Sequence, residues 1–127
     1  MATTYSSRKA KGSRLERDIA SAYRSSGLFP KAQRMPMSGA MQFHKGDIFK
    51  GETDEYVEEC KNQEKVQLWK WWEQAKDQCT GLEKPMLHVS RNYSEILTVM
   101  RFDDVVQMRL ELRDLRKIVE GNNGNKS

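Results

Sequence analysis

Cysteine is scarce in this 127-residue chain: Cys60 and Cys79 are the only two, and they form neither a CxxC pair nor a zinc-ligand spacing. That excludes a disulfide-stapled scaffold and a zinc ribbon, and it fits reduced thiols in a cytoplasmic, intracellular protein. Long hydrophobic runs are missing as well. No apolar stretch comes near the roughly 18 residues of a membrane span, so no membrane partner is expected. The opening, MATTYSSRKAKGSR, is basic but leads into an amphipathic stretch, so no secretory signal is expected either. A Walker loop, a GxGxxG turn, a nucleophile elbow and internal repeats are all absent. What is present is a polar but globular mixture, 37% hydrophobic and 31% charged, in a mass of 14.8 kDa. One domain fits this length, with roughly two thirds of the unfolded surface available for burial.

The net charge is only +4, yet it is unevenly spread. Residues 8–45 carry nine Lys/Arg against Glu16 and Asp18, whereas residues 46–59 carry six acids against Lys50. A basic first third suits a polyanion such as nucleic acid. An acidic cluster directly after it supplies the oxygen ligands a divalent cation needs. The same pattern also describes a solvated surface with a loose basic tail.

Residues 1–11 lack apolar periodicity and read as a basic flexible tail, with a single domain over 12–120 and a disordered tail over 121–127. The first helix is expected from Ser13, as N-cap, to about Ser25, with Gly27 as its stop. Leu15, Ile19, Ala22 and Tyr23 would be its buried face. Pro30, Pro36 and Gly39 mark residues 28–45 as a broken strand or long loop, and long loops in small domains tend to be functional. Residues 46–61 read as a β-hairpin turning at Gly51 to Asp54. Its period of two puts Val57, Glu59 and Lys61 on one face and Tyr56, Glu58 and Cys60 on the other. A second helix over about Val66 to Gln78 gathers Leu68, Trp71, Trp72, Ala75 and Cys79 on one side. PMLHVS and EILTVM then read as strands around a turn at Arg91 to Ser94. The last helix, capped near Asp103 or Asp104, carries a 3-4 stripe of Val105, Met108, Leu112, Leu115 and Val119. The expected fold is therefore α/β, a small mixed β-sheet flanked by helices.

Glu16, Asp47, Glu59 and Lys61 form the constellation with chemical content. An acid followed two residues later by lysine is weak alone, since about two such pairs arise by chance at this composition. This one, Glu59-Cys60-Lys61, ends a strand whose expected partner opens with Asp47, so both acids can converge on one end of the sheet. Phosphodiester hydrolysis uses that arrangement. Two carboxylates hold Mg²⁺, which stabilises the pentacovalent phosphate and acidifies water, and a lysine on the same strand face orients that water or neutralises developing charge. An ion pair on a solvated hairpin is the competing reading. Glu16 has two readings of its own: the capping box Ser13-x-x-Glu16, or a third site acid on the sheet-facing side of the helix.

Gly12, Glu16-Arg17, Arg34 to Ser38-Gly39, Gly46-Asp47-Ile48 and Glu59-Cys60-Lys61 follow an order that resembles archaeal-type Holliday junction resolvases. These are small dimeric members of the PD-(D/E)XK nuclease superfamily, with a restriction-endonuclease-like core. The resemblance spans about Gly12 to Gln63 by motif, and the rest by element order. It implies Asp47, Glu59 and Glu16 as catalytic acids and metal ligands, and Lys61 as the catalytic lysine. Mg²⁺ would be the cofactor, with Mn²⁺ as a substitute. Arg17 and Arg34 would contact phosphates, with Ser38 near the scissile strand. Arg8, Lys9, Lys11 and Arg14 extend the basic surface for branched DNA. The activity implied is junction resolution in DNA recombination and repair, carried out by a homodimer. Two departures stand out. Gly46 replaces the usual proline, and Gln63 extends the motif to Glu-x-Lys-x-Gln, which other nuclease branches of the superfamily share. The alternatives are thus another such nuclease acting on duplex or damaged DNA, or a non-catalytic nucleic-acid-binding protein.

Elsewhere, His44 lies three residues before Asp47 and reads as a solvated loop histidine, and His88 as a structural mid-strand one. Trp71 and Trp72 fall in the packing stripe of their helix. Trp69 lies about 100° off it, open to a dimer or DNA contact, and Val106 and Leu110 on the last helix read as dimer surface or as residues covered by the N-terminal segment.

Overall fold

A 22-residue helix, α1 (Tyr5–Ser26), opens the computed structural model, which describes residues 5–35, 45–52 and 54–124, and side chains from Ser13 onward. It starts two turns earlier than expected. Arg8, Lys9, Ala10 and Lys11 are good helix formers, and they carry the helix through Gly12 at a cost of about 1 kcal/mol. Residues 5–11, read from sequence as a tail, are therefore helical, and Ser13 is a mid-helix residue rather than an N-cap. The capping-box role for Glu16 falls with it. Gly27, at φ +81°, ends the helix as anticipated.

Two short strands follow, β1 (Gln33–Arg34) and β2 (Ile48–Phe49), paired antiparallel with Gln33 opposite Phe49. The expected hairpin between 46–49 and 55–61 does not form as a ladder. β3 (Tyr56–Asn62) instead pairs in parallel with β4 (Lys84–Ser90), joined by the crossover helix α2 (Leu68–Asp77). A parallel pair requires such a crossover. β4 then turns at Arg91–Ser94 into antiparallel β5 (Leu97–Met100), giving a three-stranded mixed sheet in the order β3-β4-β5.

The two faces of this sheet are covered by different helices. On one, Leu15 and Ile19 of α1 pack with Ile48 and Cys60, joined by half-buried Tyr23. On the other, Trp71 and Ala75 of α2 close over Leu87, with Leu68, Trp72, Val89 and Val99 around them. The packing role read for Trp71 and Trp72 holds. One member of the expected α1 face differs: Ala22 is exposed, and Ala20 is buried instead, beside Phe29 and Ala32.

The last helix, α3 (Phe102–Gly124), continues through Gly121 to Gly124, which the sequence had assigned to the tail. Its apolar stripe is not buried: Leu112, Leu115 and Val119 are 46%, 60% and 57% exposed.

Candidate active site

β3 is an edge strand of the three-stranded sheet, so one side of its backbone lacks a full partner. Asp47 fills that side. Its amide donates to the carbonyl of Glu58 (2.8 Å), and its carboxylate accepts the amide of Cys60 (2.8 Å). The strand pairing expected from sequence is thus reduced to one residue, placed where a single side chain is presented to β3.

The alternation of β3 holds as read. Glu58 and Cys60 point toward α1, whereas Glu59 points toward α2, with Lys61 two residues on along the same face. Glu59 is buried, and its carboxyl meets that of Asp47. Burial and the Asp47 charge together push Glu59 up to about 7. Lys61 is half-buried, and its charge partly offsets this rise. Two carboxylates held against each other with one lysine alongside form a site that favours a cation.

Glu16 sits on the α1 side of this edge. Burial and the Asp47 charge raise it, while Arg34 donates through Nε to its carboxylate at 3.1 Å. Among the described residues, no three of His, Cys, Asp and Glu come together as a metal cage. Asp47 and Glu59 meet. Glu16 is paired with Arg34, near enough to Asp47 to feel its charge. The donor chemistry of the Asp47–Glu59 pair nevertheless fits a hard divalent cation, since the pair is all oxygen and its like charges are only partly compensated.

Sequence reading missed the group that holds the pair in place. Gln78, the residue after α2, donates its side-chain amide to Glu59 and accepts the Gly46 amide through its carbonyl (3.1 Å). No spacing rule marks a glutamine at a helix C-cap for this role. Gly46 itself carries a readable signal, since it stands where the resembled family has proline. At φ +84° the position excludes proline, and a Cβ there would lie 2.6 Å from the Glu58 carbonyl oxygen. Just upstream, Lys45 is anchored to Thr80 (2.6 Å) and Glu83 (2.7 Å), pinning the entry to Asp47.

Behind the site lies a second constellation the sequence did not announce. Glu58, 2% exposed, accepts from Tyr23, bonds His88 Nε2 at 2.7 Å and pairs with Lys50 at 3.0 Å. His88 Nδ1 is within 2.8 Å of Thr98 Oγ1, so its structural reading holds. Lys50 also pairs with Asp54 and donates to the Tyr56 carbonyl at 2.8 Å. Burial tends to raise Glu58, but the His88 hydrogen bond and the Lys50 charge outweigh it and lower the carboxyl below its ordinary value.

Of the other expected site residues, Arg14 and Arg17 are exposed on α1, and Gln63 is exposed just past β3. Arg17, Arg24 and Arg34 line one groove between α1 and β1. Ser38 and His44 lie outside the described residues, as do the side chains of Arg8, Lys9 and Lys11. Cys60 and Cys79 are free thiols, and Cys60 is buried. No helix among the described residues is long and apolar enough to cross a membrane.

Comparison with known proteins gives one result. A family profile described as "Phage putative PDDEXK endonuclease" matches residues 7–122. No curated protein and no solved structure matches the chain.

Proposed function

The chain belongs to that phage PDDEXK endonuclease family, and from this premise we propose a Mg²⁺-dependent, structure-specific endodeoxyribonuclease that resolves four-way DNA junctions. The observation that carries the reading is the meeting of the Asp47 and Glu59 carboxyls at the open edge of β3, with Lys61 on the Glu59 face. Asp47 and Glu59 would hold the divalent cation, which supplies positive charge to the phosphate transition state and acidifies the attacking water. Asp47 is pre-aimed by the Cys60 amide, and Glu59 by the Gln78 amide, which limits how far either carboxylate must turn when a cation arrives. Lys61 would orient the water or neutralise charge developing on the phosphate. Arg17 and Arg34 face the groove beside the site and would bind flanking phosphates, in which case a phosphate competes with Glu16 for Arg34. Junction preference rests on the order of motifs from Gly12 to Lys61. Gln63, which extends the motif to Glu-x-Lys-x-Gln, favours the second reading, a relative acting on ordinary or damaged duplex.

The deciding assay incubates the full chain with a synthetic four-way junction or a linear duplex of matched sequence, in Mg²⁺ or in EDTA. Junction cleavage in Mg²⁺ alone, lost by orders of magnitude in Asp47→Asn, Glu59→Gln and Lys61→Ala while junction binding persists, supports the proposal. Equal cleavage of both substrates assigns the duplex reading. Binding without cleavage in any metal returns the chain to a non-catalytic role.

A further inference from the structure

The exposed face of α3 has an internal order that solvent exposure does not require. Val105, Leu112 and Val119 recur at intervals of seven, and Met108 and Leu115 fall between them at steps of three and four. Those are the a and d positions of a heptad repeat, the pattern by which one helix packs along another. The stripe runs about 21 Å from Val105 to Val119 at 1.5 Å per residue. Met108, Leu112, Leu115 and Val119 are between 38% and 60% exposed, so the described residues of this chain leave the seam open. At the foot of the helix the apolar surface continues, where Trp69 and Phe102, 77% and 78% exposed, line one groove with Met100.

The charges flanking the seam identify what covers it. In this register Asp104 and Glu111 occupy the first two g positions, with exposed Ile118 at the third, and Arg109 and Arg116 occupy e positions. Two parallel helices set each g residue against the e residue five positions later on the other helix. With a second α3 that places Asp104 opposite Arg109 and Glu111 opposite Arg116, acid against base both ways. An antiparallel pair would instead set g against g and e against e, placing acid on acid and arginine on arginine. We infer that α3 is a self-association helix, which joins two copies of this chain through a parallel two-stranded coiled coil. The cleanest of these pairs is Glu111–Arg116, because Asp104 is buried in its own chain beside Arg101. A two-fold axis along the seam would carry the two Asp47–Glu59 sites on one assembly. This inference is independent of the nuclease reading, since it concerns the free protein.

Sedimentation equilibrium of the full chain at micromolar concentration, without DNA, tests it. The expected mass is twice 14.8 kDa, falling to the single-chain value in Leu112→Glu/Leu115→Glu, with circular dichroism confirming a folded chain. Glu111→Arg and Arg116→Glu should each raise the dimer dissociation constant about tenfold or more, and the double swap should restore it. A wild-type monomer overturns the inference and leaves the face to a different protein. So does a dimer insensitive to the leucine substitutions. A dimer that needs the leucines but ignores the charge swaps overturns the parallel arrangement.

Discussion

Glu58 and Glu59 are consecutive, both buried, and held in opposite electrostatic states on opposite faces of β3. Glu58 is lowered because His88 and Lys50 more than repay its burial, whereas Glu59 is raised to about 7 by burial and by Asp47. One strand thus separates a carboxylate with its partners satisfied from one pressed against a like charge. Glu58→Ala removes the buried partner that Tyr23, His88 and Lys50 share, and should cost about 3–5 kcal/mol. Glu59→Gln removes one of two facing carboxylates, so metal-free stability should stay level or rise while cleavage is lost. Urea unfolding of both variants beside a cleavage assay checks the contrast, and equal destabilisation would contradict it.

Gly46 is constrained by conformation and by space. Gly46→Ala must hold φ near +84° with a Cβ facing the Glu58 carbonyl at 2.6 Å. Backbone strain of this kind costs about 1–3 kcal/mol. Gly46→Pro also deletes the amide that Gln78 accepts, and should be the worse of the two. Thermal unfolding should rank them wild type, alanine, proline.

Gln78 ties Gly46 to Glu59 without lying in the motif itself. Gln78→Leu should raise the Mg²⁺ concentration for half-maximal cleavage by about 10–100-fold, with DNA affinity unchanged. Gln78→Glu brings a further carboxylate to the pair, and should be more severe in metal-free protein. A metal titration of cleavage separates this positioning role from loss of fold, which would lower the maximum without moving the midpoint.

The Lys45–Glu83 pair predicts an acid-sensitive component of stability. The hydrogen bond from Lys45 and those from Thr80 lower Glu83 to about 2, from an ordinary 4.5. Its folded value lies below its unfolded one, so its contribution is full above about 4.5 and is lost as pH falls toward 2. Both partners are about one-third exposed, so about 1 kcal/mol at most is expected, weakened by salt. Glu83→Gln should flatten the acid limb of the stability curve in that window.

Arg14 and Arg17 are exposed on α1, so DNA binding should weaken with salt at a log-log slope of about −0.9 per phosphate neutralised. Alanine at each that contacts a phosphate should reduce the slope by about one. Because residues 5–11 belong to α1, point substitutions are the cleaner test than truncation. An unchanged slope in the double variant would move the phosphate contacts elsewhere.

Elements whose signals are local were legible in the residues alone. Alternation in β3 put Glu59 and Lys61 on one face, and the helical spacing of Trp71 and Ala75 marked the buried side of α2, because both patterns repeat within a few residues. The start of α1 escaped it, since Gly12 and Ser13 imitate a helix boundary that flanking Arg, Lys and Ala override. Whatever needs residues far apart in the chain depended on how the elements pack. Asp47 meets β3 through two hydrogen bonds at an open edge instead of through a strand ladder, and only the parallel pairing of β3 with β4 leaves that edge open to it. Gln78 reaches Glu59 because the crossover helix ends above the site. Glu58 meets His88 and Lys50 while Glu59 meets Asp47 and Gln78 for the same reason. α1 and α2 cover opposite faces of one strand, and no property of either glutamate alone says which partners await it.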